Sequence, residues 1–305
     1  MTSAMPRVRT VVYIKLLLMA VFWGGTFIAG KIAAQRVGPF SAAFLRFAIA
    51  SIFLCLTALR LEGRLPALRR HQLLPVFLLG MTGVFAYNVC FFKGLKLIEA
   101  GRAAIIIANN PICIALFSAL LFREHLTRMR LAGILISISG AVVVITRGDW
   151  HMIGSGAVGP GELFILGCVA SWVAFSLIGK VLLAELSPLA SVLYAALSGT
   201  VCLAVPAWQE GLLTAWPSYT LADWASLFYL GFFGTVLGFV WYYQGIQRIG
   251  PTKAGVFINF VPVSAILFSF IFLHEPLTLS LLFGAALVLT GVYLTNRAAR
   301  ERHPR

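Results

Sequence analysis

The long apolar runs of this chain carry no Asp, Glu or His near their middles; its 10 acidic residues and 5 histidines lie between the runs or at their ends. Pumps and proton-coupled antiporters commonly keep an ionisable group at mid-membrane, so no obvious proton relay is present. No phosphate-binding glycine-rich loop occurs either, which leaves ATP without a site. No run pairs a nucleophile or metal ligand with His, Asp or Glu, as chemistry within a bilayer requires. An enzyme is therefore not expected, and neither a metal nor a cofactor is implied. The cysteines Cys55, Cys90, Cys113, Cys168 and Cys202 sit inside apolar runs without a CxxC pair and read as small buried apolar residues.

Charge of either sign is scarce, at 11% of residues, where soluble domains carry about 25%. With 60% hydrophobic residues and a mean hydropathy of +0.93, the chain cannot cover a soluble core of its size and reads as an integral membrane protein. The net charge of +14 does not mark a nucleic-acid binder, because the basic residues lie between apolar segments, where they set orientation and meet anionic lipid. Ten segments of a length that crosses a bilayer are predicted over residues 12–33, 39–60, 73–93, 101–122, 129–147, 161–182, 188–208, 224–246, 253–273 and 276–296. The first follows Arg7 and Arg9 but runs on past Trp23, long for a secretory signal, so it is taken as a span. The connections are short, and the longest, 148–160 and 209–223, read as surface loops. With both termini inside, 17 of the 24 basic residues fall in inside segments and six outside, which fixes the expected orientation.

The sequence also repeats itself. A shift of 151 carries Gly94, Pro111, Glu124, Gly133 and Gly140 onto Gly245, Pro262, Glu275, Gly284 and Gly291. From Gly80 to Gly140 there are 17 identities in 61 ungapped positions, against about one in ten by chance in so apolar a composition. A shift of 149 carries Trp23, Gly30-Lys31 and Pro39 onto Trp172, Gly179-Lys180 and Pro188. The expected domains are a first five-helix repeat over 1–150 and a second over 151–305, joined in one membrane unit. Five is odd, so the second repeat enters the membrane inverted. The predicted fold is thus all-α, ten transmembrane helices as two inverted five-helix repeats around a central cavity.

Pro111 and Pro262 break their spans at equivalent mid-membrane places, each freeing the carbonyl four residues earlier. Asn109-Asn110 precede the first and Asn259 the second; a plain packing kink competes with a cavity-lining, gating role. Trp23 and Trp172 lie near mid-span rather than at the interface that tryptophan prefers, either as packing or as a wall for an apolar or aromatic ligand. Thr26, Tyr87, Asn88, Ser171, Ser176, Tyr242 and Tyr243 add hydroxyl and amide groups, though Ser and Thr often bond within their own helix. Arg46, seven residues after Pro39, lies about 10 Å into the bilayer. It either snorkels to the interface or anchors a substrate carboxylate.

Two five-span halves, the opening Ala20-Val21-Phe22-Trp23-Gly24, Arg46 within Phe44-Leu45-Arg46-Phe47, and Pro-then-Glu near the end of each half resemble the EamA type of the drug/metabolite transporter superfamily over nearly the whole chain. Within it the chain is most similar to aromatic amino-acid exporters of the YddG type. The resemblance implies a multi-pass carrier of the bacterial inner membrane with a central cavity between its halves, exporting amino acids or related metabolites. Val173 and Ala195 stand where the first half has Gly24 and Arg46, so the cavity walls are unequal. Small-molecule substrate and lipid are the expected partners, and transport is expected to run without ATP, as a facilitator or exchanger. Export of other hydrophobic metabolites or drugs, a channel, and a membrane-embedded enzyme are the competing readings.

Overall fold

The computed structural model describes residues 4–63, 65, 67–122, 127–149, 158–182 and 185–301. Among them there is no strand, and ten helices are long and apolar enough to cross a membrane. They are α1 (Thr10–Arg36), α2 (Pro39–Glu62), α3 (Arg70–Leu97), α4 (Ala100–Leu121), α5 (Arg128–Ile145), α6 (Pro160–Lys180), α7 (Pro188–Gln209), α8 (Leu221–Ile249), α9 (Lys253–Leu273) and α10 (Leu279–Asn296). The junction expected at 150/151, and Glu124 of the repeated segment, lie outside the described residues.

Helix ends follow local chemistry. Pro39 and Pro188 open α2 and α7 in the first turn, where an N–H has no helical partner to lose. Ser187 caps α7 by accepting from Ala190 N at 3.1 Å, and Thr220 and Asp223 form a capping box on α8. The connection before α8, expected as a surface loop, holds a helical turn over Leu212–Ala215 that follows Gly211 at φ 90°.

Helices α3 and α8 are longer than the spans predicted for them, and each widens to π-helical turns at the equivalent place, Gly80–Ala86 and Tyr229–Leu237. Side chains compete there with the backbone ladder: Asn88 Nδ2 donates to Val84 O at 2.8 Å, and Thr235 Oγ1 to Leu230 O at 2.9 Å. Helix α4 breaks at Ala108-Asn109, just before Pro111. Asn109 N turns to Ile106 O (3.2 Å), and its own side chain takes the released Ile105 O at 3.1 Å. In α9 the matching interruption is a tightened turn over Phe257–Asn259 before Pro262.

The two repeats meet through reciprocal glycine contacts. A Cβ on Gly133 of α5 would lie 2.7 Å from Gly291 O of α10, and one on Gly140 would lie 2.7 Å from Gly284 O. Since Gly284 and Gly291 are the repeat equivalents of Gly133 and Gly140, α5 and α10 run antiparallel, and each contact is the image of the other. The same holds elsewhere. Gly80 of α3 abuts Ala195 O of α7 (2.9 Å), and its equivalent Gly231 of α8 abuts Arg46 O of α2 (2.7 Å), Arg46 being the equivalent of Ala195. Reciprocity of this kind is the mark of a two-fold relation, here across the helix axes. Small residues are what allow backbones to approach so closely in a membrane.

Replacing Gly291 by Leu is therefore expected to force α10 off α5 and to cost about 1–3 kcal/mol through overpacking, read as a lower thermal midpoint of the detergent-solubilised protein. Gly179→Ala should leave the midpoint unchanged, because its Cβ would meet only Leu79 Cδ2, at 3.8 Å.

Candidate functional site

Four helices contribute rings to one cluster between the halves. Trp23 (α1) lies 5.5 Å from Phe239 and 5.6 Å from Tyr242, both on α8. Trp172 (α6) lies 5.5 Å from Tyr87 of α3 and 6.4 Å from Phe239. Tyr87 stacks on Phe91 at 6.0 Å, and Tyr243 joins from α8, 6.2 Å from Phe239. Trp23, Tyr87, Trp172, Phe239, Tyr242 and Tyr243 are all half-buried.

Beside it, Arg46 of α2 is 8% exposed and points inward. It does not snorkel. Nη1 donates to Asn88 Oδ1 of α3 at 2.9 Å and Nη2 to Thr235 Oγ1 of α8 at 3.3 Å, while the guanidinium lies 5.3 Å from the Phe47 ring and 6.0 Å from that of Phe91. The bonds of Asn88 and Thr235 to π-turn carbonyls orient both acceptors. Tyr87 lies within electrostatic reach. Among the described residues no carboxylate pairs with Arg46, and its Nε has no partner. A buried cation of this kind is costly unless something anionic meets it.

The remaining predicted residues scatter. Thr26 donates to Trp23 O (2.6 Å) and Ser176 to Trp172 O (2.7 Å), so both hydroxyl protons are used within their own helices. Asn109 turns to α5, accepting from Ser137 Oγ at 2.7 Å, rather than joining the rings or Arg46. Asn110 is buried with Oδ1 unpartnered. Asn259 is half-buried on the tightened turn of α9. Pro111 begins the second half of α4, and Pro262 lies one turn into that of α9. Thr235, Phe91 and Phe239 were not anticipated. Thr235 had a faint signal as the one threonine within an apolar run; the two phenylalanines had none.

The two ends of the bundle differ. On the face opposite the N-terminus, Glu210 accepts from Ser41 N and Ser41 Oγ, each at 2.7 Å, closing the first turn of α2. Glu275 does the same for α4, accepting from Ala100 N (2.7 Å) and Gly101 N (3.0 Å). Arg102 pairs with Glu162 at 2.8 Å, both buried, and also donates to Val144 O and Ile145 O. Burial pushes the Tyr219 hydroxyl up from its ordinary pKa beside Ser41 and Glu210. On the N-terminal face a groove of about 690 Å³ lies between the ends of α1, α2, α7 and α8, lined by Lys15, Glu62, Ser187, Trp241, Gln244 and Arg248 among others. Outside the spans on that face, His71 and Gln72 hydrogen-bond to Glu185 and hold its carboxyl below the usual range.

A bundle of ten apolar helices, with a buried guanidinium and a ring cluster between its halves, is the architecture of a multi-pass membrane carrier. The chain belongs to the EamA-like transporter family, whose profile matches residues 10–146 and again residues 159–297. It is 28% identical to the uncharacterized transporter YyaM of Bacillus subtilis over 95% of this chain and 94% of that protein. It is 30% identical to a "Probable terminal-alkyne amino-acid exporter" of Streptantibioticus cattleyicolor, over 94% of each chain. One solved crystal structure shares the fold with a TM-score of 0.65 at 22% identity, over 93% of this chain and 98% of that one. The protein is a transporter, not an enzyme.

The Glu275→Ala variant should leave the first N–H groups of α4 without an acceptor, which costs about 1–2 kcal/mol, read as a lower thermal midpoint in detergent.

Proposed function

We propose that this transporter exports amino acids with aromatic or other hydrophobic side chains across the bacterial inner membrane, with both termini in the cytoplasm. The observation that carries this reading is Arg46, a buried guanidinium with two of its donors held by Asn88 and Thr235 and, among the described residues, no carboxylate of its own. A substrate carboxylate would supply the missing charge, and the half-buried rings of Trp23, Tyr87, Trp172 and Tyr242 suit an apolar tail. The amino-acid export stated in the name of the Streptantibioticus relative supports the same substrate class. One chain holds all these residues, so a single copy suffices.

In this reading the units are the repeats 1–150 and 151–305, and transport is alternating access without ATP. Their ends support it. Gly30 of α1 is pressed against α3, where a Cβ would lie 2.7 Å from Leu95 Cδ1, whereas its equivalent Gly179 of α6 meets only Leu79. The counterparts of Phe91 and Leu95 are Tyr242 and Ile246 of α8, so α6 stands off α8 at the N-terminal side where α1 is packed against α3 at the opposite side. Exchange of the two arrangements between the repeats closes one face as it opens the other. The breaks before Pro111 and Pro262 are the natural flexing points, and the unpartnered Asn110 Oδ1 lies at one of them. The breadth of the ring cluster also favours a second reading, export of other hydrophobic metabolites.

Liposomes loaded with phenylalanine should show saturable counterflow of the labelled amino acid. Arg46→Gln should raise the half-saturating concentration about tenfold or more, since a hydrogen bond to a charged group is worth ~1.5–3 kcal/mol, and Arg46→Lys should lose less. Phenethylamine, which lacks the carboxylate, should not compete. Uphill accumulation driven by an imposed pH gradient would contradict a facilitator or exchanger.

A further inference from the structure

The two repeat-related tryptophans do not have equivalent surroundings. Trp23 is locked in place. Its Nε1 donates to Gly234 O at 2.9 Å, and its indole lies over Gly238, where a Cβ would collide with the ring. The first repeat has no such notch for Trp172. The equivalent of Gly238 is Tyr87, whose ring fills the space and stands 5.5 Å from the Trp172 ring. The equivalent of Gly234 is Gly83. Its carbonyl accepts from Asn88 Nδ2 at 3.3 Å, and the Phe175 ring occupies the space where a Gly83 Cβ would sit. Trp172 therefore has no such seat: it is half-buried beside Phe175 (5.2 Å), Tyr87 and Phe239, and its Nε1 has no hydrogen-bond partner among the described residues.

We infer that Trp172 is the specificity-determining residue of the carrier: its half-buried indole stacks on a planar aromatic group of the substrate, and its N–H, unpartnered among the described residues, is the donor available to a polar atom beside that ring. Trp23 serves as fixed wall. This rests on the export reading above and sharpens it, because one of the two tryptophans, and not the pair, selects for aromatic solutes. Tyr87 is the positioning residue: it displaces the indole from the notch and lies within reach of Arg46, so the anionic and aromatic ends of a ligand meet adjacent side chains.

The test uses the full chain in liposomes, with labelled phenylalanine and labelled leucine as probes. Trp172→Leu should lower the preference for phenylalanine over leucine about threefold to tenfold, the size of one lost aromatic pair. Trp172→Phe, which keeps a ring and serves should the leucine variant not fold, should retain most of the preference. Trp23→Phe, which loses the bond to Gly234, should shift the thermal midpoint more than the preference, and Trp216→Phe, in the loop before α8, should change neither. An unchanged preference in Trp172→Leu, or an equal loss in Trp23→Phe, overturns the assignment. If the wild type moves neither amino acid, the export reading falls by itself, and indole decides the assignment. Thermal protection of the solubilised protein by indole, lost in Trp172→Leu and kept in Trp23→Phe, upholds it; equal protection in all variants overturns it.

Discussion

A full positive charge lies buried between the two halves of this protein, and much of the surrounding structure makes that tolerable. Arg46 belongs to α2, its acceptors Asn88 and Thr235 to α3 and α8, so three helices and both repeats meet on one guanidinium. Each acceptor is set by a hydrogen bond to a carbonyl of a π-helical turn. Each π turn is in turn seated against a neighbouring helix by glycine: Gly80 against α7 and Gly231 against α2 itself. Polar groups in lipid must find partners inside the protein, and here the partners form one connected set. Among the described residues, that set holds no anion.

Duplication explains the scaffold, and departures from it explain the site. Where the repeats keep glycine, as at 133, 140, 284 and 291, the contacts are reciprocal and backbones touch. Where they differ, the walls differ. Arg46 faces no second arginine, because its equivalent is Ala195, and Tyr87 has no counterpart, because its equivalent is Gly238. A site with one cation at one side and one half-buried indole, its N–H unpartnered among the described residues, at another suits a ligand whose two ends are unlike. The ends of the bundle differ in their capping, with the carboxylates of Glu210 and Glu275 on helix N-termini at one face, while grooves of similar size, about 690 and 760 Å³, lie at both.

Much of this was legible in the chain. Ten apolar runs and the repeated Gly, Pro and Glu positions led to ten helices close to the predicted bounds. Single-residue periodicity could not show that α3 and α8 contain π turns, since those depend on a threonine or asparagine hydroxyl or amide competing for a carbonyl. The proline breaks drew attention to Asn109, Asn110 and Asn259, with a cavity-lining role weighed against a packing kink; Asn109 turns toward Ser137 of α5. A side chain at a helix break can point either way, and the neighbour that decides lies 28 residues on. Thr235 was unreadable for a similar reason: its importance comes from Arg46, 189 residues away.

The central claim is that two inverted halves hold unequal conformations and exchange them. The positions 31 and 96 on one face are the repeat counterparts of 180 and 247 on the other. Spin labels on each pair, read as distance distributions in lipid, test it directly. The account predicts a short 31/96 and a long 180/247 distance in one population, with the two lengths trading places in a second population when substrate is added. Distances that stay fixed, or that lengthen and shorten together, would contradict it.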